Sequence, residues 1–121
     1  MARILVVEDD DGVRSLIKDV LSVANYEVET AATVRAALPL FERNFYDLLL
    51  ADLMLPDGLG IRLAEEAQRR GIPAIIVTGY GHRFRKADLA RFDLMLKPVR
   101  PDALLEAIAK GLERGSAGTA S

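Results

Sequence analysis

Apolar positions along the chain follow two rhythms. Four short stretches are apolar at every position: Ile4-Leu5-Val6-Val7, Leu48-Leu49-Leu50-Ala51, Ala74-Ile75-Ile76-Val77 and Leu94-Met95-Leu96. They are short and continuous, the first of them rich in β-branched residues, as expected for strands covered on both faces. A weaker stretch, Tyr26 to Ala31, alternates instead, with Val28 and Thr30 facing opposite to Glu27 and Glu29. That alternation predicts a strand at or near a sheet edge.

Between the strands the period changes. Val13, Leu16, Ile17, Val20 and Leu21 recur at helical spacing, and Asp10 or Asp11 can cap that helix. Thr33 can cap a second helix through Ala36, Ala37, Leu40 and Phe41, with a kink or irregularity expected at Pro39. A third runs from about Leu59 to Arg70 and stops at Gly71, followed closely by Pro73. A fourth, near His82 to Arg91, is short and basic, and a fifth after Pro101-Asp102 uses Leu104, Leu105, Ile108 and Leu112. Residues 115–121 are only Gly, Ser, Ala and Thr, which predicts a disordered polar tail after a domain of residues 1–114. Regular alternation of continuous apolar strands with helices predicts an α/β fold, a doubly wound five-stranded parallel sheet with helices on both faces.

Composition narrows the function classes. At 121 residues the chain is one domain, and half hydrophobic with 28% charged residues it is a soluble globular one. With no cysteine, disulfides, thiolate zinc sites and cysteine nucleophiles are excluded. A single histidine, His82, argues against a histidine triad or a histidine metal site. Sixteen basic and eighteen acidic residues, a net charge of −2, give no general case for nucleic-acid or membrane binding. No apolar run approaches the ~20 residues of a membrane span, and the N-terminus lacks a signal-peptide layout, so a cytoplasmic location is expected.

In doubly wound sheets ligands bind beyond the carboxyl ends of the strands. Those ends carry Glu8-Asp9-Asp10-Asp11, then Asp52, then Thr78-Gly79, then Lys97-Pro98. Clustered carboxylates repel one another unless a counter-charge is present. A divalent cation with oxygen ligands resolves that cost, and Mg²⁺ suits one or two carboxylates plus waters and phosphate oxygens. A carboxylate such as Asp52 can attack phosphorus and become an acyl phosphate. Asp9 and Asp52 with the metal, the Lys97 ammonium and the Thr78 hydroxyl would then neutralise the transferring group.

Plainer readings exist for each residue taken alone. Glu8 to Asp11 could simply favour the positive end of the first helix. Asp57-Gly58 reads as turn chemistry before the third helix. Arg83, Arg85 and Lys86 read as a solvated helix face, or with Phe84 and Phe92 as an output contact. Phe41, Phe45 and Tyr46 read as core and strand-entry packing.

Taken together, Ile4-Leu5-Val6-Val7-Glu8-Asp9-Asp10, Asp52-Leu53-Met54-Leu55-Pro56-Asp57-Gly58, Thr78-Gly79 and Lys97-Pro98 resemble the receiver domain of bacterial two-component response regulators, the CheY-like superfamily. The resemblance covers about residues 2 to 113. It implies a flavodoxin-like strand order of 2-1-3-4-5, with Asp52 as phosphoacceptor and Thr78 and Lys97 as switch hydroxyl and phosphate-pairing lysine. It implies Asp9, Asp52, Glu8 (through water) and the Met54 main-chain carbonyl around Mg²⁺, and a cis Lys97-Pro98 bond. The implied phosphodonor is a sensor histidine kinase or a histidine phosphotransfer protein, and the output an unknown downstream protein, with a homodimer possible and no direct contact to nucleic acid or membrane. Such a domain is not an enzyme on outside substrates; it catalyses only its own phosphotransfer and slow dephosphorylation.

Two departures stand out. The family usually carries Tyr or Phe three residues before the lysine, where this chain has Leu94. The interval from Thr78 to Lys97, 19 positions, is shorter than usual, so a short or irregular fourth helix is expected. Tyr80 and Met54 would flank the acyl phosphate and shield it from water. Two other functions compete. A degenerate receiver would bind partners without phosphorylation. An aspartyl-phosphate hydrolase of the haloacid-dehalogenase type would want a second Asp at position 54, which is Met54 here. The start at Met1, close to the first strand, favours a stand-alone regulator, although a receiver cut from a larger protein fits the polar tail equally well.

Overall fold

The computed structural model describes residues 1–79 and 91–120, with side chains through residue 115. In chain order its elements are β1 (Arg3–Val7), α1 (Asp11–Val23), β2 (Glu27–Ala31), α2 (Val34–Ala37), α3 (Leu40–Arg43), β3 (Leu48–Asp52), β4 (Met54–Leu55), β5 (Gly58–Leu59), α4 (Ile61–Arg69), β6 (Ala74–Thr78), β7 (Asp93–Leu96) and α5 (Pro101–Ala120). Five strands form one parallel sheet in the order β2-β1-β3-β6-β7. Counting those five alone, the order is the expected 2-1-3-4-5, a flavodoxin-like arrangement. The direction of strand addition reverses at β1, which opens a crevice beyond the carboxyl ends of β1 and β3.

The runs of β1, β3 and β6 are continuous because those strands have two buried faces, whereas on the edge strand β7, against expectation, only Met95 is buried and Leu94 and Leu96 are exposed. Leu5, Val7, Leu49, Ala51 and Ile76 point to one side, against Ala37, Phe41, Leu63 and Ala67 of α2, α3 and α4. The intervening Ile4, Val6, Leu48, Leu50, Ile75 and Val77 point to the other, against Ile17 and Leu21 of α1 and Leu104 and Ile108 of α5. Successive strand residues alternate between two cores, so every position must be apolar. β2, the alternating strand, lies at the edge as expected.

Helix ends follow from local chemistry. Asp10 caps α1, its Oδ1 accepting from the Val13 amide at 2.9 Å. Gly71, at φ 74°, takes the left-handed position that ends α4. Pro39 breaks the second predicted helix into α2 and α3.

Several expectations need correcting. The third helix begins at Ile61, and residues 54–59 form the small antiparallel β4–β5 hairpin instead. Phe45 is 68% exposed, because Tyr46 takes the inward position at the strand entry and alternation turns its neighbour out. Phe92 is buried in the core at 8% exposure, so it does not belong to an output contact. α5 runs through Ala120, past Gly115, where a disordered tail was expected. No proline interrupts that stretch, and glycine weakens a helix without ending it. The expectations for the fourth helix, for the patch of Arg83, Phe84, Arg85 and Lys86, and for Tyr80 lie outside the described residues. No helix among the described residues is long and apolar enough to cross a membrane.

Candidate functional site

The carboxyl ends of β1, β3, β6 and β7 converge as the topology requires. Asp52 is the last residue of β3, paired in register with Val77, and only 5% exposed. The Leu53 amide donates to the Val77 carbonyl at 2.8 Å, and the Met54 amide reaches Asp52 Oδ1 at 3.4 Å. Behind it stands Gly60, whose amide donates to the Leu53 carbonyl at 2.8 Å. A Cβ on Gly60 would fall 2.0 Å from the Asp52 carbonyl oxygen. That oxygen is main chain and cannot step aside, so only glycine lets α4 start this close to the site.

Lys97, directly after β7, places its Nζ 2.7 Å from Asp52 Oδ2 and 3.3 Å from Glu8 Oε1. Its amide donates to the Thr78 carbonyl at 2.8 Å, which fixes the lysine against the end of β6. The Lys97-Pro98 bond is cis, as expected. Glu8 follows β1 at 2% exposure, anchored by its amide on the Ala31 carbonyl at 3.0 Å. Its Oε2 accepts from the Asp10 amide at 3.1 Å. Asp9 is exposed beside it, and one carboxylate oxygen from each of Glu8, Asp9 and Asp52 lies within 4.8 Å of the others. No other set of three acids comes this close among the described residues.

Burial, with the Asp52 charge adding to it, pushes the Glu8 carboxyl up to about 7, against the Asp10 amide and Lys97, which pull it down. Burial alone would lower Lys97. The hydrogen bond and charge of Asp52, with those of Glu8, outweigh it and hold the ammonium above the usual lysine range. Glu8 and Asp52 therefore share the Lys97 ammonium, with the Asp9 carboxylate beside them. The three donors among the described residues are carboxylate oxygens, a set that suits a hard divalent cation such as Mg²⁺. Glu8, Asp9 and Asp52 are the side chains that would hold it.

Glu8, Asp9, Asp52 and Lys97 are thus brought together. Thr78 ends β6 at the same sheet edge, 6% exposed, with its hydroxyl donating to the Gly79 carbonyl at 3.4 Å rather than to Asp52. Met54 contributes its amide to Asp52 and leaves its side chain 47% exposed. Leu94 is 45% exposed on β7.

Three supporting residues escaped the sequence reading. Arg14 of α1 grips the loop that bears Glu8 and Asp9. Gly60 permits the close approach described above. Asp57 is more than turn chemistry: its carboxylate accepts from the amides of Val34 and Arg35 at 2.8 and 2.9 Å, tying the β4–β5 hairpin to α2. Each acts across a distance in sequence or through main chain, and only Gly60, just ahead of a helix, leaves even a weak local signal.

The sequence model of the response regulator receiver domain matches residues 4–109. Among curated relatives, the response regulator protein PilR of Pseudomonas aeruginosa is 32% identical over 113 residues, covering 89% of this chain and 25% of that protein. The transcriptional regulatory protein GlrR of Escherichia coli is 32% identical over 123 residues, covering 98% of this chain and 28% of that protein. The chain thus spans between a quarter and a third of the length of these two relatives. Among solved structures, a CheY-like response regulator receiver domain protein from Methanospirillum hungatei superposes with a TM-score of 0.89 at 36% identity, covering 98% of both chains.

Proposed function

The chain belongs to the response regulator receiver domain family, a family of signalling domains, and on that premise we propose that it accepts a phosphoryl group on Asp52. The donor in this reading is a phosphohistidine of a sensor histidine kinase or a histidine phosphotransfer protein, presented in the cytoplasm. An Asp52 carboxylate oxygen attacks phosphorus and the P–O bond forms. The P–N bond breaks, and the histidine nitrogen leaves with the electron pair and takes up a proton from solvent.

The observation that carries the reading is the Lys97 ammonium 2.7 Å from Asp52 Oδ2 with the Glu8 and Asp9 carboxylates alongside. Lys97 stays protonated, moves from Asp52 to a phosphoryl oxygen as charge builds there, and screens the product. The Thr78 hydroxyl, held only by a long bond to Gly79, turns to donate to another phosphoryl oxygen. The amide of Met54 lies against the acceptor from the β4 side. When bound, Mg²⁺ on Glu8, Asp9, Asp52 and the Met54 carbonyl supplies the remaining positive charge to the phosphoryl oxygens. Reorientation of Lys97 and Thr78 then biases the loops that carry them, which is the output of a switch. Leu94 lacks a phenol and is already half exposed, so this switch does not run through an aromatic gate at that position.

A hydrolase of outside substrates is not favoured, because Met54 stands where its general acid would be. A phosphorylation-independent module is not favoured either, since no acceptor-site side chain is missing. The longer relatives are named transcriptional regulators in part, and for this chain the downstream partner is proposed to be a protein. Incubation with Mg²⁺ and a small acyl phosphate, read by intact mass, tests the function. The expected result is a gain of one phosphoryl group, mapped to Asp52 and absent in Asp52→Asn. No gain, or a gain that persists at another residue in Asp52→Asn, would overturn it.

A further inference from the structure

Arg14 sits one turn into α1 and is directed back at the loop before the helix. Its Nη1 donates to the Glu8 carbonyl at 3.0 Å and more weakly to the Asp9 carbonyl at 3.5 Å. Its Nη2 donates to Asp11 Oδ1 at 2.6 Å, which fixes the plane of the guanidinium. None of these bonds goes to the clustered carboxylates. The rest of the loop is equally committed: the Glu8 amide bonds Ala31, the Asp10 amide bonds Glu8 Oε2, and the Asp10 carbonyl accepts the Arg14 amide at 2.9 Å. Glu8 and Asp9 therefore hang from a main chain whose two carbonyls are held by one rigid fork.

We propose that Arg14 is the positioning residue that fixes the spacing of Glu8 and Asp9 and so makes the cluster selective for Mg²⁺ over larger cations. The inference rests on the cation-site reading above and deepens it. Mg²⁺ demands near-ideal octahedral geometry from its ligands, whereas Ca²⁺ accepts longer bonds and irregular shells. A loop held rigid serves the first cation and matters little to the second. Lysine does not replace the fork, since its ammonium, although it has three donors, is a compact charge on a flexible stem and lacks the planar geometry that holds both carbonyls and Asp11 at once. A pure charge effect has the opposite sign: removing a nearby cation would tighten binding of any divalent ion.

Calorimetric titration of Mg²⁺ and, separately, Ca²⁺ into wild type, Arg14→Lys, Arg14→Met and Asp9→Ala tests this. Both Arg14 variants are expected to bind Mg²⁺ more weakly by on the order of tenfold, with Ca²⁺ affinity held within about twofold. Unchanged Mg²⁺ affinity in Arg14→Lys, tighter Mg²⁺ binding in Arg14→Met, or an equal fall for both ions overturns the proposal. Should Arg14→Met lose its fold by circular dichroism, Arg14→Lys decides. Mg²⁺ binding that is lost in Asp9→Ala yet intact in Arg14→Lys removes this proposal alone. Absence of Mg²⁺ binding in wild type removes the underlying site reading with it.

Discussion

A buried carboxyl beside a second carboxylate holds its proton more tightly than one in water, and Glu8 is in that position. It is 2% exposed and its carboxyl is pushed up to about 7, first by burial and then by Asp52. Its value in the unfolded chain is 4.5. The folded state therefore binds the extra proton. The resulting stabilisation is fully present below 4.5 and is lost as pH rises through about 7. Its ceiling is about 3 kcal/mol. In metal-free protein, urea midpoints should fall from about pH 5 to about pH 8, and Glu8→Gln should flatten that fall. An equal slope in both proteins would show that Glu8 is not the group responsible. Lys97 does not titrate in this window, because Asp52 and Glu8 together hold it above the usual lysine range against the opposing effect of burial.

The element that most depends on another element is α2. It has four residues, Val34–Ala37, too few to be stable alone. Its amides are all placed nonetheless. Val34 and Arg35 donate to Asp57, Ala36 donates to Thr33 Oγ1 at 3.0 Å, and Ala37 donates to the Thr33 carbonyl at 3.1 Å. Thr33 was legible in the sequence as a cap, because capping is local. Asp57 was not: it lies 23 residues from Val34, in a hairpin too short for strand periodicity to reveal. The amides of Arg35 and Val34 hold the Asp57 carboxyl below the usual aspartate range. A depressed carboxyl gives stability that is present above its unfolded value of 3.8 and is lost as pH falls through its folded value. Asp57→Ala should lower the unfolding midpoint by a few degrees at neutral pH, a difference that shrinks in acid. Equal midpoints at neutral pH would mean that the hairpin does not brace α2. The same contact links the segment after Asp52 to α2, so the variant also reports whether that helix feels the site.

At the scale of the molecule, the sheet was legible because its signal is redundant. Three apolar runs buried on both faces, a fourth at one edge of the sheet and one alternating strand at the other leave few arrangements of a parallel sheet. The meeting of Glu8, Asp9, Asp52 and Lys97 followed from the sheet, since residues after parallel strands must share one edge. What holds them there was not legible: the Gly60 approach and the Arg14 fork are main-chain contacts with no periodicity. Because the ligands come from the ends of separate strands, a bound cation must stabilise the whole fold rather than one loop. The unfolded chain has no such cluster, so Mg²⁺ at a hundred times its dissociation constant should add about 2.7 kcal/mol and raise the thermal midpoint by roughly 10 °C. The shift should vanish in Asp9→Ala, which loses one ligand yet keeps both buried carboxylates and Lys97. It should also be larger at about pH 8 than at about pH 6, because the proton on Glu8 competes with the metal below about 7. Scanning calorimetry with and without Mg²⁺ at the two pH values measures both effects, and an equal shift in wild type and Asp9→Ala would place the cation elsewhere.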